Sequence, residues 1–190
     1  MESKANREIR HDDGAVCIIP CGIDDVDSIY AAVKESLEQL IPYMSWCHPG
    51  YSRKETADYL ELCEMAWQEG VEYQFKILDV ADNRLLGLCG INHINEILRF
   101  GNLGYWVRTR STGKGVATRA SLLAVRFAFE SLGLHRIEIV VDPANKASLC
   151  VAEKTGATRE GVLRNRIFVH GKPLDAVMYS LIPDDMRRVD

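Results

Sequence analysis

The 190-residue chain has no surplus of basic residues: 23 Lys and Arg stand against 27 Asp and Glu, for a net charge of −4. Proteins that hold nucleic acid by its phosphates draw affinity from excess Lys and Arg, so direct nucleic-acid binding is not expected. Nowhere does an apolar run approach the ~20 residues that cross a bilayer, and no membrane contact is expected. Its six cysteines, Cys17, Cys21, Cys47, Cys63, Cys89 and Cys150, include no C-x-x-C pair. That removes the common zinc and dithiol signatures, and no metal is expected. The opening MESKANREIRHDDG carries no apolar signal segment, which together with the dispersed thiols suits a reducing cytoplasm. Linkers, repeats and low-complexity tracts are also missing, so a polar arm over 1–14 and one domain over 15–190 are expected, as monomer or homodimer.

What is present is ordinary globular material: 47% hydrophobic residues, 26% charged, 14 Gly and 6 Pro. At this length folding hides roughly 70% of the unfolded surface, enough for a core without staples. The apolar run at Val16–Ile19 reads as a first strand. Val26, Ile29, Val33, Leu37 and Leu40 recur at helical spacing behind an acidic start and end near Pro42. Ser52 and Glu55 have capping-box spacing and open a second helix that reaches Gly70. Strands follow at 73–80 and 85–91, an antiparallel pair, and at 102–109. A long apolar helix occupies 116–132, a strand 136–142, a short helix 143–156, and a hairpin of strands 157–169 and 174–181. This order implies an α/β fold, a mixed sheet with helices on its faces, with a parallel strand–helix–strand unit between Tyr105 and Asp142.

Chemistry concentrates between that strand and the long helix. Arg110-Ser111-Thr112-Gly113-Lys114-Gly115-Val116-Ala117-Thr118 places two glycines where a strand turns into a helix. Glycine lets the backbone approach a ligand closely, and free N–H groups at a helix start attract phosphate. Arg99, Arg108, Arg110, Lys114, Arg119 and Arg126 all fall between Glu96 and Glu130 with no acidic residue among them. A basic island in an acidic chain suggests a specific anionic ligand. The Walker pattern G-x-x-x-x-G-K-[ST] is absent, and a dinucleotide G-x-G-x-x-G is incomplete because Thr118 holds the third glycine position.

The third pattern, R-x-x-G-x-G with Asn145-x-x-Ser148 after the next strand, resembles the acetyl-coenzyme A loop of the GCN5-related N-acetyltransferases (GNAT). From about Leu85 to Leu181 the chain is similar to the RimJ/RimL-type branch, the ribosomal-protein N-terminal acetyltransferases. The matching words include Gly104-Tyr105-Trp106-Val107, Leu134-His135-Arg136-Ile137-Glu138, Glu153-Lys154-x-Gly156 and Arg159-Glu160-Gly161-Val162-Leu163-Arg164. The resemblance implies a central seven-stranded mixed sheet with about four helices, acetyl-CoA as cosubstrate, and acetyl transfer to a primary amine. The expected acceptor is the N-terminal α-amine of a protein or peptide. A small amine, such as a polyamine, is the enzyme alternative, and a noncatalytic coenzyme A-binding regulatory domain is the alternative of another class.

The same resemblance implies the residue roles. Amides of Gly113, Lys114, Gly115, Val116 and Ala117, with the Thr118 hydroxyl, would cradle the pyrophosphate, and Arg108, Arg110, Lys114 and Arg119 would attract phosphates. The strand Tyr105-Trp106-Val107 would pair with the pantetheine arm, and the Val107 N–H would polarise the thioester oxygen. Asn145 would bond the pantetheine, although as N-cap it also suits plain helix initiation. Many relatives place an acidic tyrosine where Ala152 stands here, so Ser148 is the expected proton donor to the leaving thiolate. Glu160, Glu138 and His93 are candidate bases. Tyr43, Trp46 and His48, in a segment similar to one that borders the acceptor site in relatives, are candidate acceptor contacts.

Overall fold

The computed structural model describes residues 9–187. Residues 1–8 of the expected polar arm, and 188–190, lie outside the described residues. The elements run β1 (His11–Asp12), β2 (Val16–Pro20), α1 (Val26–Leu40), α2 (Arg53–Glu69), β3 (Tyr73–Asp79), β4 (Leu85–Asn95), β5 (Phe100–Val107), α3 (Val116–Glu130), β6 (Arg136–Val141), α4 (Lys146–Lys154), β7 (Thr158–Val169), β8 (Lys172–Leu181) and α5 (Pro183–Met186). The described strands form one mixed sheet in the order β1-β2-β3-β4-β5-β6-β8-β7.

Eight strands stand where seven were expected. The additional one is β1, two polar residues held by pairing of His11 with Ile18 and Asp12 with Cys17, too short for any alternation to show. The single-turn α5 is likewise additional to the expected four helices. Helix starts follow the local chemistry. The Ser52 hydroxyl accepts from the Glu55 N–H, and the Glu55 carboxylate accepts from the Ser52 N–H at 2.9 Å, so the capping box forms and α2 closes on left-handed Gly70.

Two cores lie on opposite faces of the sheet. On one, α3 and Ala152 of α4 pack on Phe75, Ile77, Cys89, Ile91, Leu103, Ile137 and Ile139. On the other, Ile29 and Val33 of α1 and Leu60 of α2 pack on Leu88 and Trp106. Every strand contact is antiparallel except β5 with β6. That parallel pairing joins Phe100 to Arg136, Gly101 to Ile137 and Asn102 to Glu138, and there it stops.

Candidate active site

Beyond Asn102 the two parallel strands part, and β6 continues against β8 as far as Val141 paired with Val177. On its other side β5 stays on β4 through Val107 opposite Gly87, and the Arg108 N–H donates to the Leu86 carbonyl at 2.8 Å. Hydrogen-bonded and non-bonded pairs alternate in an antiparallel ladder. The Arg108–Leu86 bond therefore turns the main-chain groups of Tyr105 and Val107 away from β4, into the gap. An extended chain of amides can add to such an edge as a strand would.

The mouth of the gap meets the start of α3. Gly113 and Gly115 hold φ of 74° and 77°, the left-handed region that side chains disfavour. Gly115 is the N-cap of α3, and no side chain caps this end. The first N–H groups of the helix therefore keep their donors for an outside anion, aided by the positive end of the helix dipole. A cavity of about 790 Å³ runs from this turn along α4, touching Val107, Gly113, Gly115, Val116, Ala117 and Thr118 on one wall and Asn145, Ser148, Cys150 and Val151 on the other.

A second cavity, about 880 Å³, opens on the face that carries α1 and α2. Tyr43, Met44, Tyr105, Trp106, Asn145 and Ser148 line both cavities, so the two spaces meet at the parting of β5 and β6. At that junction the Tyr105 Oη lies 2.8 Å from the Ser148 Oγ and 3.2 Å from the Ser148 carbonyl. Burial pushes the Tyr105 phenol up to about 12, against the lowering effect of its Ser148 bond. Asn145 does serve as N-cap: its Oδ1 accepts from the Ser148 N–H at 3.0 Å, and the residue lines both cavities. The sequence read Tyr105 only for its backbone; its hydroxyl was missed.

The expected acceptor segment divides. Tyr43 spans the crevice, its hydroxyl donating to the Ala144 carbonyl at 3.5 Å. Trp46 lines the second cavity, its ring 6.4 Å from that of Trp106. His48 does not line it; its Nε2 lies 2.7 Å from the Glu55 carboxylate, which Ser52 and His48 together hold down to about 2. The carboxylates of Glu55, Asp58, Glu72 and Asp142 line this cavity against the single guanidinium of Arg166.

The candidate bases stand elsewhere. Both oxygens of Glu160 accept from Arg136 at 2.6 Å and one accepts from the Ser180 hydroxyl at 2.7 Å. Arg136, with help from Ser180, holds the Glu160 carboxyl down to about 2. The same Arg136 donates to Glu138 at 3.0 Å. His93 is exposed, at left-handed φ of 49° in an irregular stretch of β4. None of the three lines either cavity. The expected cations differ in how far they are engaged. Arg108 donates to Glu35 and to the Leu85 carbonyl, and Arg119 pairs with Asp13 at 2.8 Å. Arg110 remains exposed beside Glu35, and Lys114 is exposed on the turn. Among the described residues no cluster of metal-ligating side chains occurs, and no helix is long and apolar enough to cross a membrane.

Comparison with known proteins agrees with this geometry. The sequence profile of the family described as "Acetyltransferase (GNAT) domain" matches residues 16–158. The chain is 37% identical over 135 residues to the Bacillus subtilis (strain 168) protein named "Probable N-acetyltransferase YjcK", covering 70% of this chain and 72% of that one. It is 30% identical over 96 residues to spermidine N(1)-acetyltransferase of Escherichia coli (strain K12), half of this chain and 52% of that one. Among solved structures, RimL, a ribosomal L7/L12 alpha-N-protein acetyltransferase in complex with coenzyme A, superposes with TM-score 0.83 at 21% identity, over 91% of this chain and 97% of that one. At that identity the likeness is one of fold.

Proposed function

The chain belongs to the GNAT family of acetyltransferases, and from that premise we propose that it moves the acetyl group of acetyl-CoA to the N-terminal α-amine of a protein or peptide. The observation that carries this reading is the parting of β5 from β6 beside an uncapped, glycine-turned helix start. These residues fit the cosubstrate. Amides of Gly113 through Thr118 would hold the pyrophosphate, the open edge of Tyr105–Val107 and the Asn145 amide would hold the pantetheine, and the Val107 N–H would stabilise charge on the thioester oxygen. The cosubstrate supplies an activated acyl group, so amide formation needs no metal and no covalent enzyme intermediate.

Glu138, Glu160 and His93 line neither cavity, so the acceptor's own pKa weighs on the choice of amine. An α-amine of pKa ~8 is neutral in roughly one molecule in ten at pH 7, whereas a lysine amine near ~10.4 is neutral about once in a few thousand. An α-amine therefore asks less of the site than a lysine amine does. A second reading, a small polycationic amine, draws support from the carboxylates lining the acceptor-side cavity and from the spermidine-acetylating relative.

Thiol release with saturating acetyl-CoA separates these readings. Higher kcat/KM on peptides with free N-termini than on spermidine supports the first; the reverse order supports the second. Saturable acetyl-CoA binding without release on any amine would leave a regulatory coenzyme A-binding domain.

A further inference from the structure

The junction of the two cavities holds a pair of hydroxyls whose arrangement exceeds what a single acid requires. Ser148 sits at the start of α4 and Tyr105 on β5, 43 residues apart, yet their oxygens are 2.8 Å apart. Both side chains line both the acceptor-side and the cofactor-side cavity. Ala152, about one turn further along α4, is fully buried and contributes no hydroxyl. Tyr105 thus brings a phenol to the same junction from the opposite wall of the crevice.

We propose that Tyr105 and Ser148 form a two-hydroxyl proton relay that carries the proton lost by the attacking amine to the departing thiolate. The inference rests on the acetyl-transfer reading above. As the C–N bond forms and the thioester C–S bond breaks, the nitrogen must lose one proton and the sulfur must gain one. The Ser148 Oγ–H passes to sulfur, the Tyr105 Oη–H passes to the Ser148 Oγ, and the Tyr105 Oη takes the proton from nitrogen. Both hydroxyls end the cycle as they began, and no outside acid, base or oxidant is consumed. Each bond in such a chain polarises the next. The relay also fits the absence of Glu138, Glu160 and His93 from the junction.

In this relay Tyr105 touches both the amine and Ser148, and its test needs more than lost activity. Tyr105→Phe keeps the ring and removes only the hydroxyl. Its kcat is expected to fall roughly 10- to 100-fold, with acetyl-CoA affinity by calorimetry within about twofold of wild type. Residues that act as one unit are non-additive, so the Tyr105→Phe/Ser148→Ala double variant is expected to be about as slow as the slower single variant. Unchanged kcat in Tyr105→Phe, or multiplicative losses in the double variant, overturns the relay. Failure of the wild-type protein to acetylate any amine overturns the acetyl-transfer reading itself, and the relay falls with it.

Discussion

At Glu160 a carboxylate that looks like a base in sequence is claimed by Arg136 and Ser180 and held down to about 2. Because its folded pKa is depressed, its contribution to stability is present above the ordinary carboxylate value near ~4.3 and is lost as pH falls through about 2. Glu160→Gln is expected to flatten the acid limb of stability between about pH 5 and pH 2, read by urea denaturation, and to leave kcat at neutral pH unchanged. A tenfold fall in kcat would return Glu160 to the chemistry. Single residues were unevenly legible. The N-x-x-S spacing located Asn145 and Ser148 because both sit within one helical turn. Tyr105 carried no such signal, since a tyrosine in an apolar strand looks the same whether its hydroxyl serves core or site. The ion pair of Arg108 was not legible, because its partner, Glu35, lies 73 residues away.

Among the elements, α1 is tied to the glycine turn by more than packing. Glu35 accepts from the Arg108 side chain and from the Arg110 N–H at 3.3 Å, and the Ser36 hydroxyl accepts from the Thr109 N–H at 3.1 Å. These bonds fix the exit of β5 just before the turn that precedes α3. Glu35→Ala leaves the half-buried Arg108 without its counter-charge and is expected to cost about 1–3 kcal/mol, measured by chemical denaturation; a loss below a few tenths would show that the pair is solvated instead. Element identities were legible where periodicity and caps coincide, as in α2 between Ser52 and Gly70. Boundaries were less so. β4 runs on to Asn95 and β5 begins at Phe100, whereas the polar Asn92-His93 step, where the ladder bulges, ended the expected strand at Ile91.

Across the whole molecule, two cores built on opposite faces of one sheet allow the parallel pair to part without loss of the fold. β5 is secured by β4, and β6 by β8, so the gap between them is stable and its exposed amides stay aligned with the start of α3. The alternation of strands and helices made the fold class and its parallel unit readable; the point at which the pairing ends was not, because it depends on β8 inserting beside β6 from the far end of the chain. Calorimetric titration of acetyl-CoA into the wild-type protein and into Gly115→Glu, each checked for intact folding by circular dichroism, tests the gap and helix start together. A side chain at this left-handed position costs about 1–2 kcal/mol, and its carboxylate occupies the anion's place at the helix end. Saturable one-to-one binding by wild type, weakened at least tenfold in a folded Gly115→Glu, is the expected result; equal affinity in the two proteins would contradict the assignment of this crevice to the cosubstrate.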